Sequence, residues 1–251
     1  MLFIDVQGTL IDDVQKKPIS GSIELIEKLN RESIPYVVVT NNTKQESDNF
    51  LEYLNSVGLK IPKEKYLDPL MVLDEVISNK ACVFGHPKFV EILKKRGICT
   101  SSRNPEAVVI GVKEDYTAFE YSKIIEVLLS KKPKLIGMHG TSIYSKGGRR
   151  YPGVGAILEM LKFATNSEYR VVGKPSKSFY KKALQIIGEN DFSKITMISD
   201  DLKGDLRGAN ELGMKTVFVL SGKFKSLEEL QPLDEVEKPD LVLNNIGEFS
   251  I

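Results

Sequence analysis

The chain has 251 residues, 41% hydrophobic and 27% charged, with 35 basic and 34 acidic residues for a net charge of +1. Those figures exclude a disordered chain, leave room for one large or two medium domains, and give no reason to expect nucleic acid or a membrane surface as a partner. The two cysteines, Cys82 and Cys99, form neither a metal-ligand spacing nor a disulfide framework and read as incidental thiols. No apolar run approaches the ~18 residues of a spanning helix and no charged leader opens the chain, so a cytoplasmic protein is expected.

In chain order, "LFIDV" (2–6) reads as a buried strand that runs into an acid and a glycine turn. "GSIELIEKLNRE" (21–32) carries Ile23, Leu25, Ile26 and Leu29 at helical spacing, and "PYVVVT" (35–40) is a β-branched strand. "KQESDNFLEYLNSVG" (44–58) is a second helix, closed by Gly58. A middle set follows. "KACVFG" (80–85), "EAVVIGV" (106–112) and "PKLIGM" (133–138) read as strands, with helices predicted at "PKFVEILKKRG" (87–97) and "AFEYSKIIEVLLSK" (118–131). "SKGGRRYPG" (145–153) reads as a loop, and "PGVGAILEMLKFAT" (152–165) as a helix. The last strands are "YRVVG" (169–173), "KITMISD" (194–200), "MKTVFVL" (214–220) and "DLVLNN" (240–245). The alternation is that of an α/β protein with a parallel sheet. Periodicity leaves open whether the middle strands join one sheet or form a second, inserted layer.

Functional residues of a parallel sheet gather at the carboxyl ends of its strands. Four such ends carry reactive side chains: Asp5, before Gly8 and Thr9; Thr40, before Asn41, Asn42 and Thr43; Lys174, between Gly173 and Pro175; and the acids Asp200, Asp201 and Asp205. Each alone reads as a turn former, a helix cap or a solvated lysine. Together they supply a carboxylate nucleophile, donors for phosphate oxygens, a fixed cation and oxygen ligands for a hard metal ion, the parts of phosphoryl transfer through an aspartyl-phosphate. There is no Gly-x-x-x-x-Gly-Lys-Ser/Thr phosphate loop, and "GVGAIL" (153–158) follows a loop rather than a strand, which weakens a dinucleotide reading.

The motifs "DVQGTL", "VVVTNNT", "VVGKPS", "MISDDLKGD" and "GANELGMKTVFVLSG" resemble those of the haloacid dehalogenase superfamily, and of its class IIA phosphatases in particular. The resemblance spans nearly the whole chain. It implies a Rossmann-like parallel-sheet core (residues 1–78 and 170–251) interrupted by an inserted α/β cap domain (79–169). It further implies Asp5 as nucleophile, Thr40 and Asn41 as phosphate binders, and Lys174 as the balancing cation. Magnesium would be held by Asp5, Asp200 and the backbone carbonyl of Gln7, with Asp205 supporting its hydration shell.

The family pattern is Asp-x-Asp-Gly-Thr, whereas this chain has Asp5-Val6-Gln7-Gly8-Thr9. The second acid protonates the leaving group and then deprotonates the attacking water; glutamine forms hydrogen bonds but does not titrate. The expected function is a magnesium-dependent phosphatase of a small phosphorylated metabolite, slowed by Gln7. The alternatives are a degenerate phosphate-binding or regulatory protein, and a phosphotransferase or phosphonate-type enzyme. Substrate choice in such proteins resides in the cap. There His139, Tyr144, Arg149 and Arg150 are candidates for contacting an anionic or aromatic leaving group, a solvated loop being the plain reading. Caps of relatives form dimers, so a homodimer through the cap is a further expectation.

Overall fold

The structure, a computed structural model, describes residues 1–146, 149–226 and 233–251. The chain divides into two units. The first comprises residues 1–40, 47–67 and 177–251, the second residues 41–46 and 68–176.

The first unit is built on a six-stranded, all-parallel sheet: β1 (Leu2–Asp5), β2 (Tyr36–Val39), β3 (Tyr66–Leu67), β10 (Thr196–Ser199), β11 (Lys215–Val219) and β12 (Leu241–Leu243). Their order across the sheet is β12-β11-β10-β1-β2-β3. Every residue of β1 and β2 is buried, which is why these strands read as unbroken apolar runs rather than alternating ones. Helix α1 (Ser22–Arg31) buries Leu25, Ile26 and Leu29, and α2 (Ser47–Ser56) buries Phe50, Leu51 and Leu54. Helices α7 (Lys177–Ile186) and α8 (Arg207–Glu211) complete the unit, α7 burying Phe179, Tyr180, Ala183 and Leu184. The chain builds outward from β1 to one side through β2 and β3, and later to the other through β10 and β11. The topological switch point therefore lies between β1 and β10, where an open sheet leaves a crevice at its carboxyl edge.

The second unit has its own parallel sheet, ordered β4 (Ala81–Phe84), β5 (Ala107–Ile110), β6 (Lys134–Gly137) and β9 (Tyr169–Val171). Helices α5 (Ala118–Lys131) and α6 (Val154–Thr165) pack Ile124, Leu128, Ile157, Leu158 and Leu161 against Val108, Ile110 and Leu135. A capping box starts α5, in which the Thr117 hydroxyl accepts from the Glu120 N–H while Glu120 Oε2 accepts from the Thr117 N–H. Helix α4 (Pro87–Lys95) starts at His86, whose Nδ1 accepts from the Lys88 N–H. The short α3 (Pro69–Leu73) is capped by Asp68.

The boundaries differ from those read from the sequence, at residues 78 and 170. Residues 41–46, 68–78 and 170–176 group with the second unit; for the last of these the reason is that β9 pairs with β6, Leu135 opposite Tyr169 and Gly137 opposite Val171. Local sequence does not encode which sheet a short apolar run will join. The stretch expected as a loop contains strand β8 (Arg149–Pro152), paired antiparallel with β7 (Ile143–Lys146), Tyr144 opposite Tyr151. Helix α6 therefore follows a strand, but one in a separate hairpin rather than in the parallel sheet. Gly147 and Gly148 of that stretch lie outside the described residues.

Candidate active site

In the first unit, three adjacent strands end on the predicted residues. Asp5 is the last residue of β1, opposite Val39; Thr40 follows Val39; and Asp200 follows Ser199 at the end of β10. All three are buried, Asp5 at 5% and Asp200 at 2% exposure. Thr9 donates its hydroxyl proton to Asp5 Oδ2 at 3.3 Å. Asp205 Oδ2 accepts from the Ser199 hydroxyl at 2.8 Å. The Thr40 hydroxyl donates to Gln7 Oε1 at 2.8 Å, so the glutamine stands at the same edge as the acids, held by a strand neighbour.

The turn after β1 requires glycine. Gly8 has a φ of 76°, and a Cβ placed there would lie 2.3 Å from Asp200 Oδ2. Gly222, after β11, also approaches this carboxylate; its Cβ would lie 1.9 Å from Asp200 Oδ2. Two backbone segments thus close around one buried acid. Burial pushes the Asp200 carboxyl well above the ordinary range; the Lys223 ammonium opposes that rise, and the carboxylates of Asp5 and Asp201 add to it. Burial also pushes the Tyr180 phenol up, with Asp205 and Asp5 adding to the shift, and its hydroxyl donates to the Asp205 carbonyl at 3.2 Å.

These features bear on magnesium. Among the described residues no three His, Cys, Asp or Glu side chains form a metal-holding group. The donor set expected for magnesium is different: two carboxylates, Asp5 and Asp200, with the Gln7 carbonyl and water. A buried pair of like charges in a glycine-walled cradle is costly without a cation, and hard oxygen donors suit Mg²⁺. The residues present fit the ion.

In the second unit, Lys174 is buried at 2% exposure. Asn41 grips its backbone from both sides: Oδ1 accepts from the Lys174 N–H at 2.9 Å, and Nδ2 donates to the Lys174 carbonyl at 3.4 Å. The Gly140 N–H donates to the same carbonyl at 3.0 Å. A Cβ at Gly173 would lie 2.4 Å from the Met138 carbonyl and 2.6 Å from Asn41 Oδ1, so glycine is needed there. The Asn41 side chain, expected to meet phosphate, is thus engaged in holding Lys174. His139, between Met138 and Gly140, is buried, whereas Arg149 and Arg150 are exposed on the hairpin. Tyr144 stacks on Tyr151 at 5.5 Å between centroids, and burial raises its phenol to about 12.

Sequence reading did not single out Lys223, Ser199, Tyr180 or Ser221, whose hydroxyl donates to the Gly8 carbonyl at 2.7 Å. Lys223 and Ser221 follow the strand "TVFVL", and a strand end in a parallel sheet was the available signal. Ser199 sits inside an apolar run, and nothing local marks it.

Known proteins resemble this chain over most of its length. A family model described as "Haloacid dehalogenase-like hydrolase" matches residues 2–99, and one described as "HAD-hyrolase-like" matches residues 171–249. "Haloacid dehalogenase-like hydrolase domain-containing protein 2" of Bos taurus is 28% identical over 233 residues, covering 91% of this chain and 86% of that protein. "Phospholysine phosphohistidine inorganic pyrophosphate phosphatase" of Mus musculus is 28% identical over 251 residues, covering 98% and 91%. The solved structure of p-nitrophenyl phosphatase from Archaeoglobus fulgidus superimposes with a TM-score of 0.78 at 26% identity, covering 97% of this chain and 95% of that one. The chain belongs to the haloacid dehalogenase superfamily of hydrolases, in its class IIA.

Proposed function

We propose that the protein is a magnesium-dependent phosphatase that works through a phosphorylated Asp5 and is slowed by Gln7. The observation that carries the reading is the edge where Asp5, Asp200 and the Gln7–Thr40 pair converge at the ends of three neighbouring strands. One Asp5 oxygen attacks phosphorus as the bond to the leaving group breaks; water then displaces the phosphoryl group from Asp5, releasing inorganic phosphate and restoring the carboxylate. Bound magnesium supplies charge neutralisation for Asp5 and the phosphate oxygens. Asp5, Asp200 and the Gln7 carbonyl would hold it, with Asp205 fixed by the Ser199 hydroxyl in support. The assignment of Lys174 as charge-balancing cation rests on the family resemblance.

Gln7 selects among substrates. Its Oε1 is used by Thr40, and its amide cannot pass a proton to a departing oxygen. The favoured substrates are therefore those whose leaving group needs no acid from the enzyme: activated aryl esters, phosphoanhydrides, and phosphoramidates whose nitrogen leaves as a protonated amine. The names of the archaeal and mouse relatives, which refer to p-nitrophenyl phosphate and to phospholysine, phosphohistidine and pyrophosphate, fall in this range.

The test is phosphate release in Mg²⁺ from p-nitrophenyl phosphate, pyrophosphate, a phosphoramidate and an unactivated alkyl phosphate. Turnover of the first three above the fourth, abolished by Asp5→Asn, is expected. Activity that survives Asp5→Asn rejects the nucleophile assignment. Tight phosphate binding without turnover of any substrate favours the regulatory reading, which the non-titrating Gln7 also suits.

A further inference from the structure

Lys223 lies just past the end of β11 and makes two contacts with the acids. Its N–H donates to Asp200 Oδ2 at 2.8 Å, and its ammonium pairs with Asp201 Oδ2 at 2.5 Å. Asp201 does not depend on that lysine for its position. Its Oδ1 accepts from the Gly204 N–H at 3.0 Å, and its own N–H donates to the Ser199 hydroxyl at 3.1 Å. Burial opposes the charge on Lys223, yet the carboxylates of Asp201, Asp200 and Asp205 more than offset it and hold the ammonium above its usual range. The Lys223 ammonium is thus tied into the acid cluster through Asp201, which has backbone contacts of its own.

We propose that Lys223 is a positioning residue that sets the affinity of the divalent-cation site, its ammonium neutralising Asp201 and repelling the metal so that the ion binds weakly and exchanges. This rests on the reading of Asp5 and Asp200 as metal ligands. The physical reason is charge count. Hard-cation affinity in oxygen sites follows the net charge of the surrounding groups. Removing the ammonium makes the surroundings of Asp200 more negative by one charge while Asp201 stays held by Gly204. The side chain of Lys223 is 35% exposed, so solvent and salt screen part of the effect. An increase in affinity of roughly tenfold is expected at low ionic strength.

The experiment is a Mn²⁺ titration of the full chain, read by the EPR signal of the free ion, on wild type, Lys223→Met, Lys223→Arg and the double variant Asp201→Asn/Lys223→Met. Metal-free melting curves confirm that each variant is folded. Lys223→Met should bind Mn²⁺ roughly tenfold more tightly, Lys223→Arg should stay near wild type, and the double variant should return close to it. A lysine that only braces the loop would give the opposite sign, because its loss would loosen Asp200. Unchanged or weaker binding by folded Lys223→Met overturns the inference and leaves the phosphatase reading standing. If Lys223→Met does not fold, the double variant and Lys223→Arg decide: an arginine variant that binds several-fold tighter or weaker than wild type, or a double variant far from it, overturns the inference. Wild type that binds no Mn²⁺ overturns both this inference and the metal assignment.

Discussion

The Thr40 hydroxyl donates to Gln7 Oε1 across 2.8 Å, joining the ends of β1 and β2. The contact accounts for a glutamine at this position without a loss of order: the amide is anchored although it cannot shuttle protons. Gln7→Asp introduces a titrating group one methylene closer to the backbone, at the position of the family's acid. Turnover of unactivated alkyl phosphates should rise, by up to ~10²–10⁴-fold where protonation limits the rate. Gln7→Glu keeps the reach to Thr40 and should gain less. Steady-state rates on alkyl and p-nitrophenyl esters measure both; an Asp variant no faster on any ester refutes the role given to Gln7.

Gly222 has no room for a side chain. A Cβ there would lie 1.9 Å from Asp200 Oδ2 and 2.3 Å from its Cγ, so Gly222→Ala must displace the carboxylate or the backbone. Overpacking of this kind costs about 1–3 kcal/mol. Thermal melting should show that loss, and the Mg²⁺ concentration for half-maximal phosphate release should rise. A variant with wild-type Mg²⁺ dependence would show that Asp200 is not a ligand.

Asn41→Ala removes the acceptor of the Lys174 N–H and a donor to its carbonyl. A buried amide left without its partner costs about 1–3 kcal/mol. Asn41→Asp keeps an acceptor for the N–H and should lose less. Denaturant unfolding of the three proteins ranks them; equal stability of Asn41→Ala and wild type would mean that the clasp does not hold in solution.

The two thiols should differ in reactivity. Cys99 is exposed, whereas Cys82 is buried and held against the Ser102 carbonyl, its thiol pushed up by burial and then by the nearby Cys99. A raised thiol has less thiolate at a given pH. Iodoacetamide at pH 8 should therefore label Cys99 first, and raising the pH should not bring Cys82 level with it until the fold opens. Peptide mapping against time gives the order; comparable early labelling of both would contradict the burial of Cys82.

The residues that the sequence determined by itself are those whose chemistry is local. Apolar runs that stop at Asp5, Thr40 and Asp200 are legible because a strand buried on both faces must be apolar and must end where its chain turns. Gly8 is legible because a left-handed turn after such a strand favours glycine. Tertiary structure decided the rest, because it depends on which segments meet. β9 joins β6 rather than the sheet of β1, a choice made by long-range pairing and not by its three residues. Asn41 is spent on the backbone of Lys174, 133 positions away. Lys223 enters the acid cluster only because β10 and β11 are neighbours in the sheet, which brings the chain after Val219 beside Asp200. Hydrogen bonds and charge pairs of that range leave no period or spacing in the chain, so only the fold reveals them.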